Sequence, residues 1–191
     1  MPNVSVYSDD KVWTYTDYCY FPEMPYFYLE ILDGELKMVA KPIPAHQWVP
    51  GRFLLLFTEK VENKGLGYVL QEVDVLSSQK RVVAPDIVIV KKENFHIITK
   101  KNIKGIPDMV VEIVSPSTRL YDLGEKKNFY ERIGVKEYWA CDYFNKKVEV
   151  FNLKDNKFES NTYNDIVPCV LFGIEINVGT ILNNIPFLFN Q

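Results

Sequence analysis

Two carboxylates in this chain stand where carboxylates are costly. Asp86 opens the run Asp86-Ile87-Val88-Ile89-Val90 directly after Pro85, and Glu112 interrupts Met109-Val110-Val111-Glu112-Ile113-Val114. A run that is apolar on both alternations reads as a central strand covered on both faces. An ionised carboxylate there is unfavourable unless a cation or strong donors satisfy it. A shared divalent cation is one way to satisfy both acids. A structural pairing with Lys or Arg, or an edge strand that leaves Glu112 in solvent, is the other. Strand alternation puts Asp108, Val110, Glu112 and Val114 on one side, so Asp108 is expected to share the face of Glu112.

A third residue belongs with them. Lys126, Phe129, Tyr130 and Ile133 fall at i, i+3, i+4 and i+7, the spacing of one helical face, with Asp122 one turn earlier on the same stripe. Lys126, unlike Lys127, therefore points with the apolar residues toward the sheet. It either snorkels to the rim or meets Glu112 across the short link between strand and helix. Two acids and a lysine are the minimum kit for metal-dependent phosphodiester hydrolysis. The acids hold Mg²⁺, with Mn²⁺ as a substitute, and the cation lowers the pKa of a bound water. The lysine stabilises the charge that develops on the phosphate. Replacing Lys126 by Met is expected to remove that charge and to leave stability unchanged or raised.

The elements that must position these residues follow from periodicity and turn signals. A short helix near Thr14 to Tyr20 is expected, capped by Thr14 or Thr16. Tyr26 to Ile31 and Leu36 to Ala40 flank Asp33-Gly34, a hairpin signal. Pro42 and Pro44 stop that hairpin and lead into a helix from Ala45 to Asn63, ended by Gly65. Strands are expected at Gly67 to Val75, Val82 to Val90 and Met109 to Val114, with a mobile lysine-rich loop from Lys91 to Ile106. A helix from Asp122 to Ile133 closes at Gly134. Strands follow at Glu137 to Cys141 and Lys147 to Leu153, then short strands near Phe158 and Val167 and a short helix after Gly179. Ser115-Pro116-Ser117-Thr118 reads as the turn introducing the helix, since no histidine is placed to make a nucleophile of it. The order predicts an α/β domain with a mixed central β-sheet flanked by α-helices and additional β-hairpins.

Composition bounds the rest. At 191 residues, with 47% hydrophobic and 25% charged, the chain reads as one globular domain spanning 1–191, with the 26–40 hairpin and the C-terminal strands as extensions of its core. The net charge of −3 argues against passive, tight binding of duplex DNA but is compatible with an acidic metal site. Three scattered cysteines and two histidines exclude a disulfide framework and a zinc centre. No signal segment or membrane-spanning apolar run is visible, so a cytoplasmic location is expected.

The segment GIPDMVVEIVSPSTRLYDLGEKKNFYERIGVKEYW, Gly105 to Trp139, resembles the signature of the bacterial Uma (Uma-two) family of restriction endonucleases. The similarity extends through VVAPDIVIV, the helix opening at His46, and YLEILDGELKMV, thinning before Tyr26 and after Leu153. The family is assigned to the PD-(D/E)XK nuclease superfamily, which implies a restriction-endonuclease-like core. On that resemblance Asp86 matches the Pro-Asp aspartate and Glu112 the acid of the Glu-x-Lys element. Val114 stands where the lysine of that element belongs, and Lys126 on the following helix takes the place of a migrated lysine. Glu30 and His46 also match the family pattern, Glu30 as a further acid at the site and His46 as a ligand or a helix-start residue.

The leading expectation is a divalent-metal-dependent endonuclease that hydrolyses phosphodiester bonds in DNA. The chain is expected to act as a homodimer, since two cuts by one site each suit two-fold symmetry, and not on a membrane. The alternative is a catalytically inactive member of the fold acting as a nucleic-acid-binding or assembly module, favoured by Val114 and the acidic balance. A two-carboxylate glycosidase comes third.

Overall fold

The computed structural model describes residues 4–6, 11–22, 24–40 and 44–186. Pro42 lies outside them. In chain order the elements are β1 (Val4–Val6), α1 (Tyr15–Tyr18), β2 (Phe27–Leu32), β3 (Glu35–Ala40), and α2 (Pro44–Phe57), which continues into a π-helical turn (Thr58–Glu62). Then come β4 (Gly67–Gln71), β5 (Val75–Ser78), β6 (Arg81–Val83), β7 (Ile87–Lys91), a 3₁₀ turn (Lys92–Ile97), β8 (Ile103–Lys104) and β9 (Met109–Val114). A π-helical stretch (Tyr121–Lys126) runs into α3 (Lys127–Ile133), followed by β10 (Glu137–Asp142), β11 (Lys147–Lys154), β12 (Lys157–Tyr163), β13 (Ile166–Cys169), β14 (Ile174–Asn177) and α4 (Gly179–Leu182).

The central sheet has the order β12-β11-β10-β9-β7-β4, with β9 and β10 parallel and every other pair antiparallel. It is the expected mixed sheet. Its strands β7 and β9 are apolar on both alternations because both faces are covered. On one face Ile87, Ile89, Met109, Val111 and Ile113 pack against Val49, Phe53, Phe57 and Val61 of α2 and its π turn. Each such burial contributes about 1.5–3 kcal/mol. On the other face Val88, Val90, Val110 and Val114 pack against Phe129, Tyr130 and Ile133 of α3. Glu112 shares the parity of Val110 and Val114, so it points to the α3 side.

A second sheet, β1-β3-β2-β6-β5-β8, lies on that same side, with Leu32, Val75 and Val83 in one core cluster with Val88 and Phe129. The β2–β3 turn has Asp33 and Gly34 at φ 52° and 90°, the left-handed pair that a two-residue hairpin needs. The Thr14 cap of α1 is present, and it is a full capping box with Asp17.

Two expectations fail in the same informative way. The strands anticipated at Gly67 to Val75 and Val82 to Val90 each break, and their halves belong to different sheets: β4 and β7 to the central one, β5 and β6 to the outer one. Glu72 bends the first run by taking φ 49°, and Pro85, without an N–H to give a ladder, interrupts the second. The segment from Lys91 to Ile106 is likewise no bare loop, since it carries the 3₁₀ turn and β8, which pairs with β5. The helix expected from Asp122 to Ile133 is α-helical only from Lys127.

Gly134 ends α3 at φ 93°, where its N–H reaches the Tyr130 and Glu131 carbonyls. A Cβ there meets nothing within 4 Å, so only the backbone conformation opposes it. Gly134→Ala is expected to cost about 1 kcal/mol in urea denaturation. A neutral result would mean that the helix carrying Lys126 is free to end elsewhere.

Candidate active site

The bends in the two long runs, Glu72–Asp74 and Ala84–Asp86, lie side by side, tied by the Glu72 N–H donating to the Asp86 carbonyl at 3.3 Å. They form the seam between the sheets, and a cleft of about 560 Å³ opens on it. Glu30, Glu72, Asp74, Asp86, Glu112 and Asp122 line that cleft, with Lys126 the one lysine on it among the described residues and His46, Ser115, Ser117 and Thr118 on the walls.

Asp86 and Glu112 meet here because of strand register. Ile87 pairs with Val111 in the antiparallel β7–β9 ladder, so one step further places Asp86 opposite Glu112. Asp86 Oδ2 accepts the Ile113 N–H at 2.7 Å. Glu112, 3% exposed, accepts on Oε1 from Lys126 Nζ at 2.9 Å and from the Tyr130 hydroxyl at 2.6 Å. Among the described residues these bonds leave Asp86 Oδ1 and Glu112 Oε2 without a hydrogen bond. Burial pushes both carboxyls up to about 7, against the pull of Lys126 on each and the Ile113 N–H on Asp86.

Lys126 ends the π-helical stretch and is 4% exposed. Besides Glu112 it contacts Glu30 Oε1 at 3.0 Å. Burial opposes its charge, but Glu112, Glu30 and Asp122 outweigh that and hold its pKa well above the usual value. Asp122, buried beside them, is raised well above the ordinary carboxylate range by desolvation. Glu30 comes from the outer sheet, with Oε1 also accepting the Ala84 N–H at 3.0 Å and Oε2 the Tyr121 hydroxyl at 2.6 Å.

His46 sits near the start of α2 with Nε2 2.6 Å from the Ile113 carbonyl oxygen and 3.9 Å from Asp86 Oδ2. Burial lowers its pKa, so the ring is neutral and Nε2–H donates to the carbonyl; the neighbouring aspartate is not an ion-pair partner.

The structure gathers Asp86, Glu112, Lys126, Glu30, His46 and Asp122 on one cleft, and it leaves Asp108 out. Asp108 does share the parity of Glu112, but it stands at the other end of β9. Its carboxylate accepts the Lys91 N–H and the Asn94 side-chain amide, both at 2.8 Å. Alternation fixes a side and not a distance: four residues of strand are about 13 Å.

Among the described residues, no three His, Cys, Asp or Glu side chains are grouped so as to hold a metal ion by themselves. Two carboxylates with free oxygens on a common cleft nonetheless fit Mg²⁺, which keeps several waters and is commonly held by one or two carboxylates with substrate phosphate completing its shell.

A family model named Uma2, described as "Putative restriction endonuclease", matches residues 12–179. The chain belongs to the Uma2 family. It also resembles a solved structure described as "a putative nuclease belonging to DUF820 from Anabaena variabilis ATCC 29413". The TM-score is 0.71 at 16% identity, over 89% of this chain and 97% of that one. That likeness shows the fold, a mixed α/β architecture of the restriction-endonuclease-like kind. A comparison with curated proteins gave no match. Among the described residues no helix is long and apolar enough to cross a membrane.

In this Uma2 chain Val114 is buried in the core, and the position beside Glu112 is taken by Lys126 from the helix. Sequence reasoning missed Tyr121, Tyr130, Glu72 and Asp74. A tyrosine rather than a phenylalanine on a core-facing stripe was the available signal for Tyr130, since a buried hydroxyl needs a partner. Glu72 and Asp74 gave none, because they were read as part of a straight strand.

Proposed function

We propose that this protein is a divalent-metal-dependent endonuclease that hydrolyses phosphodiester bonds in DNA. The observation that supports it is the pairing of Asp86 and Glu112 across two strands, each with one carboxylate oxygen open to a cleft that also holds Lys126. Asp86 and Glu112 would hold Mg²⁺ or Mn²⁺, and the cation, when bound, supplies charge neutralisation at the phosphate and a more acidic water. Lys126 presents its ammonium to the same carboxylate and so to the phosphate that the cation would receive. His46 donates to the Ile113 carbonyl, and the N–H of the same residue orients Asp86. The acidic walls repel a bare phosphodiester, so substrate binding depends on the cation. Cleavage of both strands of a duplex would engage two copies of the chain. The three cysteines are free, which suits a reducing cytoplasm.

The test is cleavage of supercoiled plasmid in Mg²⁺ or Mn²⁺, against chelator and against Asp86→Asn. Nicking that needs the metal and is lost in the variant supports the reading. Cation binding with no cleavage of plasmid or single strand would leave a non-catalytic member of the family.

The raised carboxyls give a pH signature. Their folded pKa of about 7 lies above the unfolded values near 4, so the metal-free folded state binds more protons between those limits. Stability of the metal-free protein should therefore fall as pH rises from about 4 to about 7 and level off above. Mn²⁺ must displace those protons, so its affinity by calorimetry should rise through pH 6 to 7 with proton release, then flatten. An affinity independent of pH over that range would remove both carboxyls from the binding step.

A further inference from the structure

Glu30 does not behave like the other acids of the cleft. It is 1% exposed, and every bond it makes is to a protein donor. Oε1 accepts the Ala84 N–H at 3.0 Å and forms an ion pair with the Lys126 ammonium at 3.0 Å, and Oε2 accepts the Tyr121 hydroxyl at 2.6 Å. Both oxygens are therefore engaged, whereas Asp86 and Glu112 each keep one without a hydrogen bond among the described residues. The Tyr121 ring also lies under the ammonium, 5.5 Å from Nζ to the ring centroid. Lys126 is thus enclosed by Glu30 and Tyr121 on one side and Glu112 on the other.

The enclosure has a purpose that Glu112 alone cannot serve. A lysine stem is long and rotatable, and its ammonium goes where the nearest anion is. A cation on Glu112 takes over much of the negative charge that draws Lys126 there. A second carboxylate, whose two oxygens are already engaged by protein donors, keeps the ammonium in place. Through Ala84 the same carboxylate fixes the backbone entering Pro85-Asp86.

We propose that Glu30 is a positioning residue, which holds Lys126 and the Ala84-Pro85-Asp86 backbone in register with Glu112 and is not itself a ligand of the cation. This rests on the nuclease reading for its consequence on rate, but the placement of Lys126 can be tested apart from it.

The experiment is a double-variant cycle of Glu30→Gln and Lys126→Met, with Mn²⁺ calorimetry, cleavage kinetics and thermal melts on each protein. Glutamine keeps the shape of Glu30 and can still accept the Ala84 N–H, but it lacks the charge. Glu30→Gln should bind Mn²⁺ within about threefold of the parent, lose about 10–100-fold in kcat and change KM little. In the Lys126→Met background it should cost less than about threefold more, because its effect passes through the lysine. Tyr121→Phe, which removes only the hydroxyl on Oε2, should show a smaller loss with the same non-additivity, and it serves if Glu30→Gln does not fold. Loss of Mn²⁺ binding in Glu30→Gln would make Glu30 a ligand and overturn the proposal. Multiplying losses in the double variant would overturn it too. If the parent binds Mn²⁺ and cuts nothing, the nuclease reading falls and the melts decide the placement. Coupled losses in Tm uphold the Glu30–Lys126 link, and additive losses refute it.

Discussion

Glu112→Gln should stop metal-dependent cleavage and leave the protein folded. Glu112 is buried and its Oε1 accepts from Lys126 and Tyr130, bonds that an amide oxygen of the same shape can keep. The change removes a charge that burial already disfavours, so stability should move by no more than about 1–2 kcal/mol in either direction. Cation affinity is another matter, because a neutral amide is a poor ligand for a hard divalent ion that has only one other carboxylate to rely on. The plasmid nicking rate at fixed Mn²⁺ should fall about 10³-fold or more, and the calorimetric signal for Mn²⁺ should disappear. A variant that cuts at the parent's rate under the same Mn²⁺ would sink the assignment of Glu112.

Lys126→Met carries the second large effect, and the structure reverses one expectation about it. From the sequence, a lysine reaching the Asp86–Glu112 site from the helix could be exchanged for Met with stability unchanged or raised. The ammonium instead sits buried between Glu30 and Glu112, and its removal leaves two buried carboxylates facing each other. Removing one partner of a buried ion pair costs about 3–5 kcal/mol when the remaining charge is kept. Protonation relieves that cost, so urea melts of the metal-free variant should show the deficit at pH 8 and a smaller one at pH 6. Cleavage should drop about 10²-fold, the scale for losing one charge stabiliser. Lys127→Met is the control: that side chain is half-buried with its ammonium 5.8 Å from the Phe151 ring centroid and makes no ion pair among the described residues. Equal, small effects on cleavage from both variants would mean that Lys126 serves packing alone, and the non-catalytic reading would replace the nuclease.

What the sequence disclosed about this site depended on how many residues a signal spans. Glu112 was legible because five apolar neighbours in one strand made it anomalous, and Lys126 because three apolar residues repeated on its helical face. The central mixed sheet and both main helices follow from the same kind of repetition. The seam between the sheets was not legible. Gly67 to Val75 has no breaker within it, and the bend at Glu72 depends on a single residue adopting φ 49°, a choice imposed by tertiary packing. Glu30 shows the same limit. In Phe27-Tyr28-Leu29-Glu30-Ile31-Leu32 it looks like the polar position of a half-buried strand, and its partners Ala84, Tyr121 and Lys126 are distant in sequence. Asp108 shares the face of Glu112 as expected but lies away from the cleft, because periodicity names a face of a strand and not a position along it.

The seam also dictates when the site can exist during folding. The Tyr121 hydroxyl and Glu30 are separated by 91 residues, and Ala84 and Glu30 by 54. Loops of that length close late, after local hairpins and helices have formed. On a ribosome the β2–β3 hairpin emerges first and must wait for the helix beyond residue 120 before Glu30 finds its donors. A chain halted between residues 112 and 126 has Asp86 and Glu112 but no enclosed lysine. The distance between the two halves of the cleft thus acts as a built-in delay, which keeps unfinished copies from setting Lys126 against the two carboxylates.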